Sequence, residues 1–296
     1  MVIRHVNPLD VDETIIEIQG LSRPVTLVQI TDSHLAEADE RDRDALEAAR
    51  TTASHFRIHS PTGASTRQHL QEILDHCLTL KADCLVLTGD IIHFPTWANV
   101  EALASDLSAV SIPFLYTPGN HDWHYPQQPW SERTRQEYYE RLSPLTCGGP
   151  SQQAYDVHGV KLIGIDNSMY QTSPEQLEFV RQHLADRSPC LLFMHIPMYV
   201  PTLMEDVMQR WKAPIMMGSP GWTPETRAKW MVRDTLPSTT EFQALVADGP
   251  AENLAGIFCG HIHITHADAY REGRYQYSPK PGYQGGFRLI RLEPTA

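Results

Sequence analysis

Aspartate, histidine and asparagine side chains recur in five short motifs along this 296-residue chain. In chain order the motifs are Asp32-x-His34, Gly89-Asp90, Gly119-Asn120-His121-Asp122, His195 and Gly260-His261-Ile262-His263. Carboxylate, imidazole and amide groups are ligands that divalent cations accept in proteins. Each motif alone is commonplace, because turns favour Gly, Asn and Asp and a single histidine is more often a core residue than a ligand. The His-x-His pair is a stronger signal, because its two imidazoles can face neighbouring cations.

Each motif follows an apolar run that predicts a buried β-strand. The predicted strands are Val25 to Ile30, Cys84 to Thr88, Ile112 to Tyr116, Cys190 to Met194 and Ala255 to Cys259. Helices are predicted over Thr66 to Leu80, Thr96 to Val110, Ser131 to Leu142 and Pro174 to Asp186, with antiparallel closing strands over 264–278 and 286–292. In α/β folds, functional sites form beyond the carboxyl ends of strands, because the rigid sheet holds those loops in register. We therefore expect the five motifs to converge on one site.

The order DxH, GD, GNHD, H, GHxH, each after a strand, resembles the calcineurin-like metallophosphoesterase superfamily. The resemblance spans about residues 25 to 292. It implies an α/β fold, a four-layer αββα sandwich with two facing mixed β-sheets, and the alternating strands and helices are compatible with it. Because no repeat, linker or low-complexity tract interrupts the chain, we expect a single domain over residues 1–296.

The resemblance also implies a set of ligands for two divalent metal ions per chain. Asp32, His34 and His263 would hold the first ion, Asn120, His195 and His261 the second, and Asp90 would bridge both. A bridging carboxylate offsets the repulsion between two cations, and neutral imidazoles with an amide oxygen suit Mn, Fe, Zn or Ni. Two such ions would hold a hydroxide near neutral pH, which attacks phosphorus in line with the leaving oxygen.

Two more histidines are candidate catalytic residues. The resemblance makes His121 the family's catalytic histidine, which stabilises or protonates the leaving group; a further ligand or an ordinary loop histidine is the alternative. His93 completes a GDxxH motif similar to the repair-nuclease branch, where that histidine assists at the phosphate; a histidine in a helix-start loop is the alternative. The start Thr31-Asp32-Ser33-His34-Leu35 is more similar to class III cyclic-nucleotide phosphodiesterases. Asp122 would orient its loop or His121.

Residues 198–240 form a segment rich in Met and Trp that holds six of the nine methionines and three of the six tryptophans. Its start is tied to the His195 loop, so we expect it to overhang the site as an insertion. Trp211, Trp222, Trp230 and Arg227 are the candidate substrate-binding residues, because Trp suits an organic leaving group and Arg suits a phosphate. The alternative is a helical insertion that packs on the core or at a dimer interface.

Composition excludes several classes of protein. Hydrophobic residues make up 41% and charged residues 20%, which is typical of a globular domain, and the formal net charge of −12 does not favour nucleic acid or anionic lipid as a partner. We expect no signal peptide and no membrane span. Cys84, Cys190 and Cys259 lie in apolar runs, which favours reduced core thiols and a cytoplasmic location. The histidines of segment 36–69, at positions 55, 59 and 69, are expected to be solvated.

The expected activity is hydrolysis of a small organic phosphate ester, first of all a cyclic-nucleotide-like phosphodiester, or a phosphomonoester. A DNA or RNA nuclease is one alternative, suggested by GDxxH and opposed by the net charge. A non-catalytic metal-binding scaffold is another, opposed by the complete set of ligand residues. The sequence does not determine the oligomeric state or the native metals.

Overall fold

The computed structural model describes residues 1–146, 148–249 and 251–295, and in these residues two six-stranded sheets face each other. In spatial order, the first sheet contains β1 (Ile3–Val6), β2 (Glu13–Ile18), β12 (Arg288–Pro294), β3 (Val25–Ile30), β4 (Cys84–Thr88) and β5 (Phe114–Thr117). The second contains β10 (His266–Arg271), β11 (Arg274–Ser278), β9 (Leu254–Phe258), β8 (Cys190–Phe193), β7 (Val160–Ile165) and β6 (Gln152–Val157). Both sheets are mixed. In the first, β3, β4 and β5 run parallel to one another and β12 runs parallel to β2, whereas β1–β2 and β12–β3 are antiparallel pairs. In the second, the four central strands are parallel and an antiparallel pair closes each edge.

Helices cover the outer faces of the two sheets. They are α1 (Leu46–His59), α2 (Thr66–Leu80), α3 (Trp97–Val110), α4 (Glu132–Leu142), α5 (Pro174–Ala185), α6 (Met204–Trp211), α7 (Pro224–Trp230) and α8 (Pro237–Ala247). The order of layers is helices, sheet, sheet, helices, so the four-layer αββα sandwich is confirmed.

Side chains that alternate along the buried strands bind the layers together. In β4, Val86 packs into the core between the two sheets, whereas its neighbours Leu85 and Leu87 pack against the helices outside. In β8, Leu191 enters the same central core and Leu192 faces the outer helices of the second sheet. Successive side chains of a strand point to opposite faces, so a continuous apolar run is what a strand covered on both sides requires.

The helices begin and end where the sequence supplies capping groups. At α2 the Ser65 side chain accepts from the backbone N–H of Gln68, while the Gln68 side chain caps Ser65 in return. Leu70, Ile73, Leu74 and Cys77 then bury one face of the helix at helical spacing. The cap fixes where α2 begins, and the apolar face packs α2 against the first sheet. The strands β3 and β4 of that sheet carry the ligand loops at their carboxyl ends.

Three details differ from the sequence-based expectations. The last strand is antiparallel to only one of its neighbours, because β12 inserts between β2 and β3, antiparallel to β3 and parallel to β2. His69 is not solvated; it is 3% exposed, and the Ser60 hydroxyl lies 2.8 Å from its Nε2, whereas His55 and His59 are exposed. Residue 240, the last of the Met- and Trp-rich segment, is not the end of an element, because α8 runs through it from Pro237 to Ala247.

The described cysteines, Cys77, Cys84, Cys190 and Cys259, are buried, whereas Cys147 lies outside the described residues. Across the described part of the chain, no helix combines the length and the apolar character that a membrane crossing needs.

Candidate metal centre

The loop after β3 and the loop after β9 bring together the first ligand group, Asp32, His34 and His263. The Nε2 atom of His263 lies 3.1 Å from Oδ1 of Asp32 and 3.2 Å from Nε2 of His34. Asp32 and His34 are each 1% exposed. Three donor atoms therefore face one point in a space almost closed to solvent, which is the arrangement a bound cation requires.

A second group, Asp90, His195 and His261, lies beyond the ends of β4, β8 and β9. Nε2 of His195 is 3.1 Å from Oδ2 of Asp90, yet in the described structure it has no hydrogen-bond partner of acceptable geometry. The Oδ1 atom of Asn120 is likewise buried without such a partner. A buried polar atom left unpaired costs about 1–3 kcal/mol, so Oδ1 of Asn120 fits a cation that would satisfy it, whereas His195 is held by the Asp90 charge.

The backbone at both groups adopts a conformation that most residues avoid. Asp32, His34, Asp90 and His263 each have φ of 52°, and His261 has φ of 70°. Left-handed backbone at residues other than glycine is unfavourable and persists only where surrounding contacts enforce it. Here the amides of Asp32 and His34 donate to the carbonyls of Gly89 and Asp90, at 3.0 and 2.9 Å. The loops therefore hold one another in place.

Two glycines allow the loops to approach this closely. Gly89 has φ of 85°, and a Cβ atom there would lie 2.5 Å from Nδ1 of His195. A Cβ atom on Gly260 would overlap the Thr31 hydroxyl and stand 2.6 Å from Oδ2 of Asp32. Glycine at these positions is thus required by the crowding of ligand residues around a small volume.

Asp122 fastens the loops of β4 and β5 to each other. One carboxylate oxygen accepts from the amides of Asp90 and Gly119, at 2.7 and 2.5 Å, and the other accepts from the amide of Ile92 at 2.9 Å. Burial and the Asp90 charge together raise the pKa of Asp122 to about 7. These contacts are with the backbone on both sides of Asp90 and with Gly119, so Asp122 ties the two loops together.

The charge states of the buried side chains favour positive charge in this centre. Burial lowers the pKa of His34, His121 and His261, so these imidazoles are neutral at pH 7 and keep a lone pair for a ligand. Burial opposes ionisation of Asp90, but the surrounding imidazoles, His195 first, bring its pKa well below the usual range. Burial also opposes protonation of His195, yet Asp90 raises its pKa to about 10. Positive charge is therefore favoured between these two side chains.

The family model described as calcineurin-like phosphoesterase matches residues 25–265. The chain belongs to the calcineurin-like phosphoesterase family. The matched range begins at β3 and ends just after His263, so it contains both ligand groups. Membership makes the chain a metallophosphoesterase with two candidate metal-binding groups, and leaves open which ester and which metals it uses.

Individual relatives of this phosphoesterase are distant. It is 22% identical over 249 residues to a 3′,5′-cyclic adenosine monophosphate phosphodiesterase of Vibrio vulnificus, across 81% of this chain and 70% of that protein. It is 24% identical over 213 residues to a glycerophosphodiester phosphodiesterase of Enterobacter lignolyticus, across 69% of this chain and 64% of that protein. A solved dimetal phosphatase of Danio rerio is similar at 11% identity and a TM-score of 0.45, across 90% of this chain and 91% of that one.

In this phosphoesterase, His121 and His93 lie beside the two ligand groups and belong to neither. Their rings stack at a centroid distance of 4.0 Å and an angle of 23°, and His121 also lies 5.3 Å from the His34 ring. Nδ1 of His93 is 2.9 Å from Nδ1 of His34. The backbone amide of His121 donates to Oδ1 of Asp90 at 2.8 Å. Both imidazoles are thus placed where a substrate held by the ligand groups would meet them.

Of the three tryptophans predicted to bind substrate, Trp211 and Trp230 lie beside ligand histidines, and Trp222 lies beside Tyr170. Trp211 lies 5.4 Å from the His263 ring, and its indole N–H donates to the carbonyl of Ile262 at 2.6 Å. Trp230 is 5.7 Å from Trp211 and 6.4 Å from the His261 ring. Trp222 packs edge-on against Tyr170 at 5.8 Å. All three also pack against the apolar core of the second sheet, which is the contact expected of an insertion that packs on the core.

Arg227 differs from these tryptophans, because its contacts stay within its own segment. Its Nη1 donates to the carbonyl of Arg233 at 2.8 Å and lies 3.4 Å from the Asp234 carboxylate. The structure does not bring Arg227 into contact with either ligand group, so the sequence argument for it as a phosphate ligand gains no support from the fold.

Three aromatic residues near the centre were missed from the sequence. The Tyr170 hydroxyl lies 2.8 Å from Nε2 of His261, Phe56 of α1 stacks on His34 at 4.4 Å, and Tyr283 lies 5.3 Å from the His263 ring. Tyr170 had a usable signal, because it follows another apolar strand, β7, in the same way as the five motifs do. Phe56 and Tyr283 had none, since a helix and a Gly-rich turn reach the site only through tertiary packing.

Proposed function

We propose that this chain hydrolyses a small-molecule phosphodiester with the help of two divalent metal ions. Asp32, His34 and His263 would hold one ion, Asn120, His195 and His261 the other, and Asp90 would serve both. The observation that carries this proposal is the pair of donor groups, together with the buried Oδ1 of Asn120 that has no hydrogen-bond partner. When bound, two such ions supply Lewis acidity and lower the pKa of a water toward neutrality.

The chain's own residues account for the rest of the reaction. The Asp90 carboxylate, whose pKa is held low, remains negative and offsets cationic charge at the centre. His121 is neutral at pH 7 because burial lowers its pKa, so its N–H can donate to the leaving oxygen as negative charge develops there. The ring of His93, stacked on His121, restricts how that imidazole turns. Phe56 and Tyr283 shield the first ligand group from solvent.

Support for a diester comes from the similar proteins and from the wall of the site. The two curated relatives are named as phosphodiesterases, one of a cyclic nucleotide and one of glycerophosphodiesters. A diester carries two organic groups, and Trp211, Trp222 and Trp230 offer half-buried aromatic surface beside the ligands. We infer that the segment from residue 198 to 240 forms one wall of the substrate pocket.

The test is a substrate panel on metal-replete protein. Cyclic nucleotides, glycerophosphodiesters, aryl diesters, aryl monoesters and oligonucleotides would be compared with Mn, Fe, Zn and Ni. The proposal expects metal-dependent turnover that is higher for small diesters than for monoesters. Preference for oligonucleotides would indicate the nuclease alternative, and metal binding without turnover of any ester would indicate a scaffold.

The wall is tested by replacing Trp211, Trp222 and Trp230 with Leu, one at a time. Removing a contact made only to the leaving group changes the order of substrates and leaves metal binding intact. Trp97 is the control, since it is 37% exposed on α3 and contacts Arg141 instead of the centre. If all three variants keep the wild-type substrate order, the wall proposal fails and the tryptophans serve packing alone.

A further inference from the structure

Arg210 is a cation whose charge is not paired. It is exposed near the end of α6, and its guanidinium lies over the Trp211 ring at 4.9 Å. Among the ion pairs formed by the described residues, none includes Arg210. Arg227 on the same segment differs, because it is engaged with Asp234 and with the carbonyl of Arg233. Apart from a hydrogen bond with the Tyr283 side chain, the donors of the Arg210 guanidinium are left for a ligand.

Two aromatic residues connect Arg210 to the first ligand group. It contacts both Trp211, which packs on His263, and Tyr283, whose ring lies 5.3 Å from His263 and 6.2 Å from His34. Burial raises the pKa of the Tyr283 phenol, and the nearby Arg210 charge offsets part of that rise. The amide of Tyr283 donates to the carbonyl of Asp32 at 3.0 Å, so the turn that carries Tyr283 is fixed to the loop that carries Asp32.

The chemistry of the guanidinium group indicates which ligand it would bind. Its planar donors match two oxygens of a phosphate, and a cation stacked on an aromatic face loses less freedom when it binds. The chain carries a formal net charge of −12, so an anionic ester approaching the centre meets a repulsive average field. An arginine without an ion pair beside the metal centre attracts the anionic ester locally and so opposes that field.

We infer that Arg210 binds a non-bridging phosphate oxygen of the substrate and is a specificity-determining residue of this site. The inference rests on the proposed function for its substrate, and it assigns phosphate recognition to α6. Trp211 is then a support for the guanidinium as well as part of the wall, and Tyr283 holds it by a hydrogen bond.

The experiment compares Arg210→Gln and Arg210→Lys with the matched control Arg227→Gln. Binding of inorganic phosphate to the Mn-loaded protein would be measured by calorimetry, together with Mn content and KM and kcat for an aryl diester. Arg210→Gln should weaken phosphate binding and raise KM by about 10- to 100-fold with little change in kcat, which is the signature of lost ground-state binding. Arg210→Lys should recover part of the loss, and Arg227→Gln should stay within about twofold of wild type.

Two results overturn the inference. One is wild-type phosphate affinity in an Arg210→Gln protein with unchanged Mn content. The other is a Mn-loaded wild-type protein that binds no phosphate. Failure of the proposed function gives a different result. A wild-type protein that hydrolyses no ester can still bind phosphate, and the effect of Arg210→Gln on that binding still tests the role of Arg210.

Discussion

Replacing Tyr170 with Phe removes one hydroxyl from beside a metal-ligand candidate and leaves the ring packing in place. The hydroxyl lies 2.8 Å from Nε2 of His261, and both side chains are buried. A ligating imidazole uses one nitrogen for the ion and the other for such an outer partner, which fixes the tautomer and the ring orientation. Tyr170 also packs against Trp222, and Phe keeps that contact.

The expected loss follows from the hydrogen bond that disappears. A buried imidazole nitrogen left without its partner costs about 1–3 kcal/mol of folding stability. Loss of an outer partner typically weakens metal binding by roughly 10- to 100-fold, which corresponds to about 1.4–2.7 kcal/mol. Only the ion held by the His261 group should be affected, because the group of Asp32, His34 and His263 does not contact Tyr170.

The assay is a chelator-competition titration that resolves the two binding events, combined with urea unfolding of the metal-free protein. Tyr139→Phe is the matched control, since its hydroxyl donates to Oδ2 of Asp166 at 2.6 Å and touches no ligand. The control should lose folding stability and keep both metal affinities. If Tyr170→Phe keeps both affinities within about twofold of wild type, Tyr170 does not act through His261 and the reasoning is refuted.

Two further predictions concern His121 and His266. His121→Ala should retain metal and lose about 10²- to 10⁴-fold in turnover, measured by kinetics on metal-replete proteins. The loss should be smaller for aryl esters with good leaving groups, which need less protonation. Undiminished turnover would exclude a catalytic role for His121. His266 lies 2.6 Å from Asp268 and 2.9 Å from Asp206, and the hydrogen bond to Asp268 raises its pKa to about 9. A raised pKa means that this contact stabilises the fold fully below about pH 6.5 and is lost as pH rises through about 9. In urea unfolding, the free energy of unfolding of His266→Gln should be lower than that of wild type by about 1 kcal/mol at pH 6, after allowance for solvent screening, and equal to it above pH 9. A difference that stays constant with pH would contradict the linkage.

The parts of the fold that were predicted from sequence depend on local signals. β4 and α2 have the predicted boundaries because an apolar run ends at Gly89-Asp90 and a capping pair starts at Ser65. The convergence of the ligands was predictable too, since parallel strands place their carboxyl ends at one edge of a sheet. Local sequence and one topological rule were sufficient for these features.

What could not be predicted depends on pairing between distant residues. The apolar alternation of Ile290 and Leu292 sets which face of β12 is buried, but not that β2 and β3 are its neighbours. His69 is buried because Ser60, nine residues away, turns back to meet it. Arg210 and Arg227 are equivalent in sequence as cations of one segment, and only the folded chain shows that Arg227 is already paired.

The central claim is that two ions bind and that Asp90 serves both. The direct measurement is metal content per chain at saturating Mn, by mass spectrometry, for wild type and Asp90→Asn, with diester turnover followed in the same samples. The wild type should carry two ions and be active, and Asp90→Asn should bind both ions more weakly and lose activity, because the bridge loses its charge. A wild-type protein that never exceeds one ion per chain under these conditions, or an Asp90→Asn protein with full occupancy and full turnover, would contradict the two-metal account.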